Sequence, residues 1–191
     1  MLIFLVLAPF VAFAATNLVA SAPVSLFAGA GVALATIVYD LCRGASLKIL
    51  ASGSAVLFAG LGAYLTFVDS RWSLPSVQLA IDCGVLAIAL VSIALRYPFT
   101  LQYARETVDA ETTRLPGFMH ANYIITWAWT AAFLLMVIAN VVILYVPGLP
   151  LWTGLAIAVA ARNSAVLFTK WYPKHRLARM AKPAQQALPA S

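Results

Sequence analysis

The chain has 191 residues, of which 63% are hydrophobic and 9% charged, with a mean hydropathy of +0.94. Soluble domains carry about 45–50% apolar and about 25% charged residues, so this composition excludes a soluble domain and reads as a polytopic, all-α membrane protein. The net charge of +6 need not signal nucleic acid, because the positive-inside rule accounts for Lys and Arg on cytoplasmic loops, and no nucleic-acid partner is expected.

Residues 1–20, MLIFLVLAPFVAFAATNLVA, are apolar from the start and contain Pro9. The Ala-Phe-Ala near their end resembles a signal-peptidase site, but no basic region precedes it; a retained first span is expected, with a cleaved signal over residues 1–15 as the alternative. Further spans are expected at about 24–39, 47–67, 75–95, 122–146 and 151–169, giving a six-helix transmembrane domain over 1–172. Residues 173–191 are basic, then low in complexity, and a flexible cytoplasmic tail is expected there. Six spans place both termini on one side of the membrane. Arg43, Lys48, Arg96, Arg105, Arg114, Lys170, Lys174, Arg176, Arg179 and Lys182 lie on that side, against Arg71 on the other. The bias predicts an N-in, C-in bundle.

Three spans carry a stripe of small and polar residues at alternating four- and three-residue steps, which keeps each stripe on one helix face. The stripes are Lys48, Ser52, Ala55, Ala59, Gly62 and Thr66; then Gln78, Asp82, Val85, Ala89, Ser92 and Arg96; then Asn122, Thr126, Trp129, Phe133, Met136 and Asn140. They read as helix-packing seams. Asp82 and Arg162 demand more, since an ionised group at a span's centre costs about 2.5–3.5 kcal/mol on insertion scales and should not face lipid. Counted from the outer helix ends, the two differ in depth by roughly 6 Å, within an arginine's reach, and Asn140 falls near the level of Asp82. Asp82, Arg162, Asn140 and Gln78 form a candidate intramembrane cluster. Three readings stay open: a buried ion pair that fixes helix neighbours, a protonatable or substrate-binding site, or a group directed into a partner subunit.

The longest connection, residues 96–121, holds half of the protein's acids and is expected on the cytoplasmic face. A helix from Pro98 to Ala110 would place Phe99 with Tyr103 and Arg105 with Asp109 at i and i+4, giving a short interfacial helix. Phe99, Tyr103, Arg105, Glu106 and Asp109 are candidate partner contacts, with docking onto the membrane surface as the other reading. Lys174, Arg176 and Arg179 are candidate contacts for anionic lipid, although topology alone would also place them there.

The two cysteines, Cys42 and Cys83, read as free thiols. His120 and His175 lie at interfacial depth without a second ligand at a usual spacing, so no metal or haem is expected. Phosphate loops, catalytic triads and paired catalytic carboxylates are missing from the sequence, so neither an enzyme nor a cofactor is expected.

The order of landmarks resembles the intracellular septation protein A family of bacterial inner-membrane proteins. The landmarks are Pro9, the segment SLKILASGSAVLFAGLGAYLTF, an outer loop with Trp72, a fourth span ending in RYPF, and Asn122, Trp127 and Phe133 in the fifth. The stretch PFTLQYARE departs from the family pattern. The resemblance implies a small multi-pass inner-membrane protein associated with cell division and envelope maintenance, with no catalytic residues to carry over. The chain is expected to act as a non-catalytic component through a membrane-protein partner or as a homo-oligomer. The alternative from the residues themselves is a small proton-coupled carrier using Asp82, with Arg162 and Asn140 nearby.

Overall fold

The structure is a computed structural model that describes the backbone of residues 2–115, 117–146 and 148–186, and the side chains of 7–115, 117–146, 148–150 and 152–176. Its described residues form eight helices and no strand: α1 (Leu2–Thr16), α2 (Ala22–Cys42), α3 (Ile49–Phe67), α4 (Leu74–Ala94), α5 (Phe99–Arg105), α6 (Ala110–Arg114), α7 (Phe118–Tyr145) and α8 (Leu151–Gln186). Among the described residues α2, α3, α4 and α7 are long and apolar enough to cross a membrane, while the described apolar part of α1 is shorter, Leu7–Thr16. In α8 the apolar run is interrupted by Arg162, Asn163 and Ser164.

Local chemistry sets the helix ends. Pro23 and Pro75 sit in the first turns of α2 and α4, where a missing N–H costs nothing. Ser73 caps α4 by accepting the N–H of Ser76 at 3.4 Å. α2 stops at Gly44, whose φ of 71° lets the Gly44 and Ala45 N–H groups turn back to the Leu41 and Asp40 carbonyls. α4 stops in the same way, with Arg96 in place of glycine. Arg96 has φ 56°, its N–H reaches Ile93 O at 2.9 Å, and the Tyr97 N–H reaches Ser92 O at 3.0 Å. A left-handed non-glycine residue costs roughly 1–2 kcal/mol, and a glycine's extra freedom in the unfolded chain costs about 0.5–1 kcal/mol. Arg96→Gly is therefore expected to raise stability by up to about 1 kcal/mol in a chemical-unfolding measurement. Arg96→Val, with a branched Cβ in the same conformation, is expected to lower it.

Two rows of three helices make the bundle. In one, α2 packs between α1 and α3; in the other, α7 packs between α4 and α8. The rows meet along α3 and α4, where Gly53 lies under Ile88 and Gly84 under Leu57. A Cβ on Gly53 would stand 2.7 Å from the Ile88 side chain, so any larger residue there requires Ile88 to shift. Phe58, fully buried, holds the first row together through edge contact with Phe10 (centroids 5.3 Å apart) and packing on Phe13 (5.9 Å). In the second row the Trp129 indole N–H donates to Thr169 Oγ1 at 3.0 Å, tying α7 to α8.

Three expectations change. The helix expected from Pro98 to Ala110 ends at Arg105, with α6 beginning only at Ala110, and α5 does not lie along a surface: Phe99, Thr100, Leu101 and Gln102 are buried against the end of the bundle. The Schellman turn at Arg96 directs the chain inward, and Leu101 and Phe99 then bury apolar area that an interfacial helix would leave against lipid. With α5 ended at Arg105, Arg105 and Asp109 share no helix. Arg105 instead donates to the Tyr97 hydroxyl at 3.3 Å, and Asp109 caps α6. Finally, α8 runs on to Gln186, so residues 173–186 are helical.

Candidate functional site

Two buried polar clusters stand out, one within the bundle and one at its end. In the first, Asp82 sits on α4 with 2% exposure and its Oδ2 accepts the Asn140 Nδ2–H of α7 at 2.6 Å. The contact exists because the α4 and α7 stripes face each other. Asp82, Val85, Ala89 and Ser92 are all buried, as are Asn122, Thr126, Trp129, Phe133 and Met136. Half-buried Gln78 lies one turn before Asp82.

Arg162 approaches the cluster from α8 without joining it directly. Among the described residues its guanidinium lies within 4.0 Å of no carboxylate, and its carbon stands 6.0 Å from the Phe10 ring centroid. The expected Asp82–Arg162 encounter is thus one of proximity, with the hydrogen bond going to Asn140. Chemically the cluster offers a carboxyl that can hold or release a proton, a carboxamide that bonds either form, and a cation nearby.

The second cluster centres on Lys48, the residue before α3, which is 2% exposed. Its ammonium contacts Asp40 Oδ2 at 2.6 Å and Glu106 Oε2 at 3.0 Å. It also lies 5.4 Å from the centroid of the Tyr103 ring. Gln102 brackets the same spot, accepting the Ile49 N–H at 2.8 Å and donating to the Leu47 carbonyl at 3.1 Å. It thereby satisfies one of the free N–H groups at the start of α3. Burial, and then the carboxylates of Asp40 and Glu106, push the Tyr103 phenol well above its ordinary value, so it stays protonated. On its other side α5 is pinned to α7, where the Thr100 hydroxyl donates to Asn122 O at 2.9 Å and lies 2.6 Å from the Thr126 hydroxyl. Ser92 Oγ, at the end of the α4 stripe, receives the Phe99 N–H at 3.3 Å.

α5 is thus a clamp. It belongs by packing to the second row and is bonded through Gln102 and Glu106 to the first. In the sequence Lys48 reads as a topology charge and as the first residue of the α3 packing stripe, not as the centre of an ion cluster. The signal for its role was opposite charges, Asp40 and Lys48, on either side of the tight turn at Gly44.

Phe99 is core, 6.5 Å from Phe133 between ring centroids. Tyr103 and Glu106 belong to the Lys48 cluster. The Asp109 carboxylate accepts the Thr112 N–H at 2.6 Å, and hydrogen bonds from Thr112 hold it below the usual carboxylate range. Lys174 is exposed, whereas Arg176 donates to the Gly117 carbonyl and docks α8 on the start of α7. The Arg179 side chain lies outside the described ones. Cys42 and Cys83 are free and exposed, and His175 stacks on Trp171. No group of three or more metal-ligating side chains occurs among the described residues.

Comparison with protein-family models, curated proteins and solved structures gives no match.

Proposed function

We propose that the chain crosses a bacterial inner membrane six times, N-in and C-in, and is a non-catalytic component acting through protein interactions in cell-envelope or division processes. On this reading α1 and α8 join the four long apolar helices as spans, and the connection holding α5 and α6 lies in the cytoplasm. The observation that carries it is the seating of that connection. α5 is fixed to both rows of helices, so the exposed segment that follows, with Val108, Asp109, Glu111, Arg114 and Leu115, is presented on a rigid base. A preorganised platform loses little conformational entropy when it binds. The septation protein A resemblance agrees with this role.

The test is crosslinking in native membranes. Replacing Asp109, Glu111, Arg114 and Leu115 together by alanine is expected to cut the yield of crosslinked partner at least tenfold while insertion and unfolding stay unchanged. An undiminished yield would reject the platform.

A second reading, a small proton-coupled carrier, is favoured by one observation: Asp82 is buried within α4 and has a neutral carboxamide as its direct partner. Intramembrane acids commonly mark proton or substrate pathways.

A further inference from the structure

Asn163, like its neighbour Ser164, is an exposed polar residue of α8 whose side chain makes no hydrogen bond among the described residues. The Asn140 carboxamide bonds Asp82 and that of Asn122 bonds the Phe118 carbonyl, each within the protein. Twelve residues beyond the start of α8, Asn163 lies about 18 Å along the helix, near the middle of a hydrocarbon layer about 30 Å thick. Water is absent at that depth, so a carboxamide there needs a protein partner.

The neighbouring residues indicate which partner fits. Ala156, Ala160, Asn163 and Leu167 are all exposed and follow one another at steps of four, three and four. That spacing forms a heptad seam on one helix face. Two small residues on the outer side of Asn163 allow another backbone to approach closely. No ionised residue lies in the seam, so like charge does not oppose self-association. A carboxamide is both donor and acceptor and therefore complements itself. Two copies inserted with the same topology and related by a two-fold axis along the membrane normal bring their α8 helices together in parallel. A single buried Asn in a heptad seam is the device by which parallel helix pairs fix register and oligomeric state.

From these observations we infer that the chain forms a parallel homodimer through α8, with Asn163 bonded to Asn163 of a second copy across the seam of Ala156, Ala160 and Leu167. The inference rests on α8 crossing the membrane, as in the function proposed above. It gives the homo-oligomer a defined interface, on the face of α8 turned away from Arg162 and the Asp82 cluster, so pairing leaves that cluster and the α5 clamp unaltered.

The experiment uses the full chain with Cys42→Ser and Cys83→Ser, reconstituted in lipid bilayers. Ala160→Cys is expected to form an oxidative dimer, whereas Ala87→Cys, on the exposed face of α4, is not. Asn163→Leu is expected to weaken dimerisation about 3- to 20-fold, the range set by measured interhelical polar contacts in bilayers. Asn163→Gln keeps the same donor and acceptor and is expected to lose less. Equal crosslinking from Ala160→Cys and Ala87→Cys, unchanged association in Asn163→Leu, or crosslinking of Ala160→Cys only to a different protein in native membranes would each overturn the inference. Labelling of Leu149→Cys and Lys174→Cys by an impermeant thiol reagent from opposite sides checks separately that α8 crosses. A crossing α8 with no dimer rejects the interface alone, and labelling of both from one side rejects the six-span reading.

Discussion

Lys48→Met is expected to destabilise the fold by about 3 kcal/mol in detergent-micelle or bicelle unfolding. Removing one partner of a buried ion pair costs about 3–5 kcal/mol, because the remaining charge is left without compensation. Here two carboxylates are left, facing each other, and the low end of that range applies because both can turn toward water. The Asp40 side chain is 15% exposed and that of Glu106 is 23% exposed. The same numbers order the milder variants. Asp40 is more buried and closer to the ammonium, 2.6 Å against 3.0 Å, so Asp40→Asn is expected to cost more than Glu106→Gln. For Glu106→Gln a loss of about 1 kcal/mol is expected, since its amide oxygen still accepts from Lys48. Lys48→Arg is not a rescue, because a planar fork does not fit a site shaped for a compact ammonium between two carboxylates and an aromatic ring. If all four variants stayed within about 0.5 kcal/mol of the parent, the cluster would be behaving as a solvated surface pair. The Lys48→Met loss should also appear locally. With Gln102 alone tying α5 to the first row, proteolysis after Arg105 is expected to quicken before the bundle itself unfolds.

The parts of this architecture that follow from helical arithmetic were legible in the sequence. Four- and three-residue steps put Gln78, Asp82, Val85, Ala89, Ser92 and Arg96 on one face, and the structure buries the middle four, with Gln78 half-buried and Arg96 exposed beyond the end of α4. Counting depth from the helix ends set Asp82 level with Asn140, and they bond. The stripe on α3 was less faithful. Lys48, Ala55 and Gly62 are buried but Thr66 is exposed, while Leu50, Ser54, Phe58 and Leu65 are buried on a neighbouring arc. α3 packs against both α2 and α4, so no single seam describes its buried surface. The α5 clamp was illegible for another reason. Its direction depends on Arg96 adopting a left-handed conformation, and arginine gives no local sign of that as glycine would. Once the chain turns inward there, Phe99 and Leu101 become core and Glu106 reaches Lys48. Charge counting could not detect that contact because it treats every lysine near a span end alike.

If α8 spans the membrane as proposed, Asp82→Leu is expected to cost about 3 kcal/mol, the scale of leaving an ionised arginine uncompensated at a span's centre, since Asn140 loses its acceptor and Arg162 its nearby negative charge. Asp82→Asn removes the charge but keeps a side chain that can bond Asn140, so it should unfold closer to the parent, and comparing the two variants separates the hydrogen bond from the charge. The exchange Asp82→Asn with Asn140→Asp moves the carboxyl across the α4–α7 seam and preserves the bond. It is expected to recover stability lost in the single variants by up to about 1.7 kcal/mol, the largest coupling found for interhelical polar pairs. No recovery would mean that the seam does not depend on this contact. These stability measurements also make a flux measurement interpretable. In vesicles carrying a pH-sensitive dye, a carrier that uses Asp82 should lose proton movement in Asp82→Asn, a variant shown to insert and fold. Proton movement unchanged by that substitution removes Asp82 from any coupling role and leaves it with the structural one, holding α4 against α7.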